Sequence, residues 1–148
     1  MNARNSTHRS VILFLCTGNS CRSQMAEGWL RTLGGEKVEA ASAGIEAHGI
    51  HPLAIRVMAE RGIDIRMQQS KRLTDSLLET ADRVITLCGH AEEHCPLVPS
   101  GVMREHWPLA DPSRVTGSDP EILAAFREVR DKIERMIREL LAHRLTEK

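Results

Sequence analysis

Residues 16–23 read Cys-Thr-Gly-Asn-Ser-Cys-Arg-Ser, directly behind the apolar run Val-Ile-Leu-Phe-Leu at 11–15. A cysteine, five residues, an arginine and a hydroxyl residue can hold a tetrahedral oxyanion against a sulfur nucleophile. The apolar run sets Cys16 at the tip of a buried strand. The small residues Thr17, Gly18, Asn19 and Ser20 let the backbone curl so that several N–H groups converge. Such a nest, opening onto a helix N-terminus, attracts anions and activates thiols. Arg22 can grip two oxygens of the anion, and Ser23 can donate a hydrogen bond to a Cys16 thiolate. Asn19 suits a prop for the loop through side-chain to backbone bonds. Cys21 lies inside the nest and reads as structural.

Alternating strands and helices must position these groups. Met25, Ala26, Trp29, Leu30 and Leu33 recur at helical spacing until Gly34-Gly35 stops the helix. Residues 38–43 have strand character. Pro52 opens a second helix, fed by Leu53, Ile55, Val57 and Met58 and ended by Gly62. Residues 83–87 form the next buried strand, with Cys88 directly behind it, and 103–107 a short fourth. Residues 111–120, broken by Pro112, Gly117 and Pro120, read as a long irregular loop. From Glu121 to Leu141 an amphipathic helix carries Ile122, Phe126, Val129, Ile133, Met136, Ile137 and Leu140. This alternation predicts a parallel sheet covered on both faces, with its site beyond the carboxyl ends of the strands. Cys16, Cys88 and Asp111 each follow a strand and so share one rim. There Asp111, ahead of Pro112, is the candidate general acid.

The 148 residues suit a single domain, 1–148, with a polar tail at 1–9. Lys and Arg total 20 and so do Asp and Glu, so affinity for an anion must be local, and net charge points to neither nucleic acid nor membrane. No apolar run approaches the ~18 residues of a spanning helix, and 11–15 is too short for a signal segment. The sequon Asn5-Ser6-Thr7 therefore carries no meaning. A cytoplasmic location is expected, where four cysteines suit catalysis, redox work or metal binding better than a static framework.

Residues 16–23 resemble the anion loop of the low-molecular-weight tyrosine phosphatase superfamily, and Asp111-Pro112 resembles its acid loop. Within that superfamily the chain is most similar to the thioredoxin-coupled arsenate reductases. The likeness rests on residues 16–28 (CTGNSCRSQMAEG), 42–46, 84–88, Cys95-Pro96 and 105–107, and spares only the tail and 113–118. It implies an α/β, flavodoxin-like three-layer sandwich, its four-stranded parallel sheet flanked by helices. It implies oxyanion binding by Thr17, Gly18, Asn19, Ser20, Cys21, Arg22 and Ser23. In the implied reaction Cys16 attacks arsenate with help from Asp111, and Cys88 then attacks Cys16, releasing arsenite. Cys95 next attacks Cys88, leaving a Cys88–Cys95 disulfide for thioredoxin. No bound cofactor or metal is expected, phosphate and sulfate should compete, and the chain should act as a monomer.

Three further readings accompany the resemblance. A continuous helix would hold the Cα atoms of Cys88 and Cys95 ~10 Å apart, whereas a disulfide tolerates about 7 Å. The segment must be irregular or must unwind, with Gly89 and Pro96 as its hinge residues, and is expected to move on oxidation. Many relatives hold potassium near Asn19, Glu27 and Ser42. Here Lys71 stands where they have a carboxylate and Gln69 replaces a threonine, so no potassium dependence is expected. The chain has no tyrosine, and Ser113-Arg114-Val115 offers no aryl platform, so a small inorganic anion fits better than a phosphotyrosine peptide. Rival functions are a phosphatase, which would not need Cys88 or Cys95, a non-catalytic oxyanion binder, which would leave Cys95 idle, and a zinc module built on Cys88, His90, His94 and Cys95.

Overall fold

The computed structural model describes residues 9–144. The expected tail at 1–8, the sequon and the last residues, 145–148, lie outside the described residues. Arg9, counted with the tail, donates to Glu39 at 3.2 Å. Four parallel strands form one sheet: β1 (Ser10–Cys16), β2 (Val38–Gly44), β3 (Arg83–Thr86) and β4 (Met103–His106), in the order β2-β1-β3-β4. Ile12 to Leu15 of β1 are shielded almost completely because β1 is paired on both edges and covered by helices.

Helix α1 (Arg22–Gly34) carries the chain from β1 to β2, and α2 (Pro52–Ala59) and α3 (Asp75–Thr80) lie between β2 and β3. A fourth helix, α4 (Gly89–His94), joins β3 to β4, and α5 (Asp119–Glu139) closes the fold. The chain steps one way from β1 to β2 and the other way from β3 to β4. Right-handed crossovers therefore put α1 and α4 on opposite faces, which completes the expected three-layer sandwich. Helices α1, α2 and α5 pack on one another, and α5 turns Leu123, Phe126, Val129, Ile133 and Ile137 inward. Each such side chain contributes about 1.5–3 kcal/mol when fully buried.

The start of α5, the interior of one loop and two short helices depart most from the sequence reading. Helix α5 starts at Asp119, two residues early, because Ser118 and Glu121 form a reciprocal capping box with Pro120 in the first turn. The loop at 111–120 contains a 3-10 turn, Pro112–Arg114. Helix α3 was not anticipated, and it is capped by Thr74, whose side chain accepts from the Leu77 N–H. Helix α4 occupies the segment between Cys88 and Cys95, so of the two alternatives for that segment the wound one holds here.

Candidate active site

The loop between β1 and α1 is shaped by the chain that follows β2. N–H groups of Ile45, Glu46, His48 and His51 donate to the carbonyls of Cys16, Thr17, Gly18 and Ser20 at 3.2, 2.8, 2.9 and 3.1 Å. The loop carbonyls are thus occupied from behind, while no bond within the described residues takes the N–H groups of residues 17–21. Asn19 alone among the described non-glycine residues has a positive φ, 49°, a left-handed conformation that Asn tolerates better than most. Helix α1 begins with neither a side-chain cap nor an acidic residue in its first turn. Its open N–H groups add positive potential at the same place. Gly44 stands where the two segments meet, and a Cβ there would lie 2.7 Å from Asn19 N and 2.9 Å from Thr17 O.

A directed chain of hydrogen bonds braces the sulfur. Asn19 Nδ2 donates to Ser23 Oγ at 2.7 Å and to Ser42 Oγ at 3.0 Å. Because Ser23 Oγ accepts from Asn19, its own proton is free to donate to Cys16 Sγ, 2.8 Å away. Ser42 Oγ donates in turn to Glu27 Oε1 at 2.6 Å. Burial pushes the Glu27 carboxyl above the usual range, against the hydrogen bond from Ser42 and the charges of Lys71 and Arg31. Asn19 Oδ1 accepts from Lys71 N at 2.9 Å, so the loop is also tied to the chain beyond α2.

Cys16, Thr17, Gly18, Ser20, Cys21, Arg22 and Asp111 line one cavity of about 400 Å³. Asn19 and Ser23 stand behind it as supports. Arg22 is buried, donates through Nη1 to Leu109 O at 3.1 Å, and holds Nη2 3.4 Å from Asp111 Oδ2. Its Nε is buried without a partner among the described residues. A buried guanidinium N–H left over in this way suits an anion oxygen. Asp111 accepts from the N–H and hydroxyl of Ser113 at 3.0 and 2.7 Å, which fixes its carboxyl at the cavity wall.

His48, His51 and Ser113 also line the cavity and were not singled out from sequence. His48 Nε2 lies 2.6 Å from Glu46 Oε1, and the His51 ring packs on Phe126 at 4.9 Å. The signal that could have found the histidines is their place just beyond the carboxyl end of β2, on the rim that carries Cys16.

All four cysteines are free thiols. Cys88 Sγ lies 3.3 Å from Thr17 Oγ1 and accepts from Ala91 N at 3.4 Å, so the thiol caps α4 at the edge of the anion loop. Cys95, half-buried, caps the other end, with its N–H donating to Ala91 O. Burial raises its pKa, and Arg104 partly opposes this. His90 and His94 stack their rings at 4.2 Å on the same helix. Burial drives the Cys21 thiol up to about 12. Only about one molecule in 10⁴ would then carry the reactive thiolate at pH 8. Iodoacetamide at that pH should leave Cys21 unmodified in the folded reduced protein and modify all four cysteines after unfolding. Peptide mass mapping reads the difference, and rapid native labelling of Cys21 would contradict its burial.

Residues 11–148 match the family described as low molecular weight phosphotyrosine protein phosphatase. The chain is similar to an arsenate reductase of Halalkalibacterium halodurans, 52% identical over 131 residues that cover 88% of this chain and 94% of the relative. Among solved structures it resembles an arsenate reductase in the phosphate binding state, with a TM-score of 0.73 and 37% identity, covering 90% of this chain and 97% of the other. It also resembles a thioredoxin-dependent arsenate reductase of Corynebacterium glutamicum, with a TM-score of 0.74 and 33% identity over 93% of this chain and 63% of that one.

Proposed function

The chain belongs to the low molecular weight phosphotyrosine protein phosphatase family, and from that membership we propose that it is an arsenate reductase that draws its electrons from thioredoxin. Similarity at 52% identity to a named arsenate reductase supports the activity, and the thioredoxin-dependent structural neighbour supports the donor. The observation that carries the reading is a second thiol at the rim of the anion loop. Cys88 Sγ lies 3.3 Å from Thr17 Oγ1, and hydrolysis has no use for it. Reduction of As(V) to As(III) takes two electrons, which a pair of thiols supplies by joining.

In the proposed cycle the loop N–H groups and Arg22 hold arsenate in line with Cys16. The Cys16 thiolate forms a bond to arsenic, and an oxygen departs as water with a proton from Asp111. The Cys88 thiolate then attacks Cys16 Sγ. The sulfur–arsenic bond breaks with its electron pair left on arsenic, so arsenite departs and a Cys16–Cys88 disulfide remains. Cys95 attacks Cys88, Cys16 leaves as thiolate, and thioredoxin reduces the Cys88–Cys95 pair. Thr17 Oγ1, 3.3 Å away, and the Ala91 N–H, 3.4 Å away, hold Cys88 Sγ at the rim from which it attacks. Such a relay belongs in a reducing compartment, the cytoplasm. One chain carries every residue the relay needs.

NADPH oxidation coupled through thioredoxin and its reductase tests this. Arsenate-dependent turnover should be lost in Cys16→Ser, Cys88→Ser and Cys95→Ser and kept in Cys21→Ser. Full turnover in Cys95→Ser would remove the third thiol from the cycle. The second reading, hydrolysis of small phosphomonoesters, is favoured as a side activity by the loop and the acid that both chemistries share.

The surroundings of Glu27 do not suit a bound potassium ion. Its carboxylate already takes the Ser42 hydroxyl, faces Arg31 at 3.6 Å and feels the charge of Lys71. A further cation would meet like charges. Turnover should therefore be equal in potassium chloride and in a sodium chloride control of the same ionic strength. A strong rise with potassium would overturn that expectation.

A further inference from the structure

Helix α4 has six residues, of which only Ala91 is buried. Isolated helices shorter than ~12–15 residues are marginal in water, so tertiary bonds must keep this one wound. Most of them run through Arg104 of β4. Its Nη2 donates to Glu92 O at 2.8 Å and to Glu92 Oε1 at 3.3 Å, and its Nη1 donates to Pro96 O at 3.2 Å. The same carboxylate oxygen accepts from the Thr86 hydroxyl of β3 at 2.7 Å. That hydrogen bond, with Arg104 beside it, holds the Glu92 carboxyl below the usual carboxylate range. The clamp therefore grips α4 near its end and the chain just past Cys95.

Those are the atoms that must separate if Cys88 and Cys95 are to join, because a wound segment keeps their Cα atoms ~10 Å apart and a disulfide needs less than about 7 Å. Resting on the relay above, we propose that Arg104 is a positioning residue that clasps α4 in the dithiol state and must release it when the Cys88–Cys95 bond forms. In that step the Cys95 thiolate bonds to Cys88 Sγ, the Cys16–Cys88 bond breaks, and Cys16 keeps the electron pair. Arg104 takes no part in the bond changes. It stabilises the dithiol and not the disulfide, and so raises the reduction potential of the pair. The clasp makes the oxidised pair easier for thioredoxin to reduce.

The test equilibrates the full chain and Arg104→Met across ratios of oxidised to reduced glutathione. Glutathione disulfide accepts two electrons from the dithiol, yielding two glutathione thiols and the protein disulfide, which alkylation and peptide mapping quantify. Loss of the clasp should shift the equilibrium about tenfold toward the disulfide, equivalent to a potential ~30 mV more negative. Arg104→Lys, keeping the charge but not the fork, should fall between the two. Glu92→Gln should shift the same way by less, and it carries the test if Arg104→Met does not fold. Equal potentials in the parent and the folded variants would sink the clasp. Failure of the parent to form Cys88–Cys95 at any ratio would instead sink the relay.

Discussion

Cys88→Ser should abolish thioredoxin-coupled arsenate turnover while sparing hydrolysis of a small phosphomonoester. Serine is a better helix cap than cysteine, so α4 keeps its start, and a hydroxyl can still face Thr17. What disappears is the sulfur that, in the proposed cycle, takes arsenic's place on Cys16. No other thiol caps the rim beside Thr17: Cys95 sits at the far end of α4 and Cys21 is held neutral by burial. In the proposed chemistry hydrolysis needs only Cys16, Arg22, Asp111 and the loop. It should change by no more than about tenfold, the ceiling set by one neutral hydrogen bond of ~0.5–1.5 kcal/mol. The two assays run on one preparation, so misfolding would depress both. Arsenate reduction that survives in Cys88→Ser would move the second electron source elsewhere.

Gly44→Ala should be the most damaging of the glycine-to-alanine changes, because its clashes are with main-chain atoms. Residues 44 and 16 are register partners on β2 and β1, and the glycine lies against the backbone of the anion loop. The added carbon would meet Glu46 O, Asn19 N at 2.7 Å and Thr17 O at 2.9 Å, all main-chain atoms that cannot rotate aside. Relief must come from shifting the loop, which spoils the alignment of its N–H groups. Overpacking of this kind typically costs ~1–3 kcal/mol of stability; borne wholly by the anion-binding form of the loop, that cost lowers affinity about 5- to 150-fold. Calorimetric titration with inorganic phosphate should register that loss, with the circular dichroism unchanged. Undiminished affinity would mean that the loop does not bind anions in the form described.

Much of this was legible in the chain because the signals are dense where the chemistry is. The apolar run before Cys16, the helical spacing from Met25 and the glycines at 34 and 35 mark β1 and α1 to within a few residues. The rim shared by Cys16, Cys88 and Asp111 follows from strand order alone. The six-residue helices α3 and α4 did not show, for a physical reason. Each turns only one residue fully into the core, Leu78 and Ala91, too few for a period to appear. Their stability is lent by caps and by distant groups such as Arg104, which sequence spacing cannot connect. The start of α5 is different: Ser118 and Glu121 stand in plain view, but Pro120 between them suits a loop as well as the first turn of a helix, and the capping box decides for the turn. His48 and His51 escaped because a histidine beyond a strand has no pattern of its own.

The ladder that ties residues 45–51 to the loop carbonyls has a consequence for selection among anions. It presents main-chain N–H groups to a tetrahedron of oxygens, and such groups cannot distinguish a central phosphorus from a central arsenic. In a cell rich in phosphate, then, the cavity should be occupied most of the time by the wrong guest. The enzyme discriminates afterwards, by outcome: phosphate cannot accept electrons and leaves as it came, whereas arsenic commits once a second sulfur arrives. Fidelity here is a matter of irreversibility, and its cost is time spent waiting.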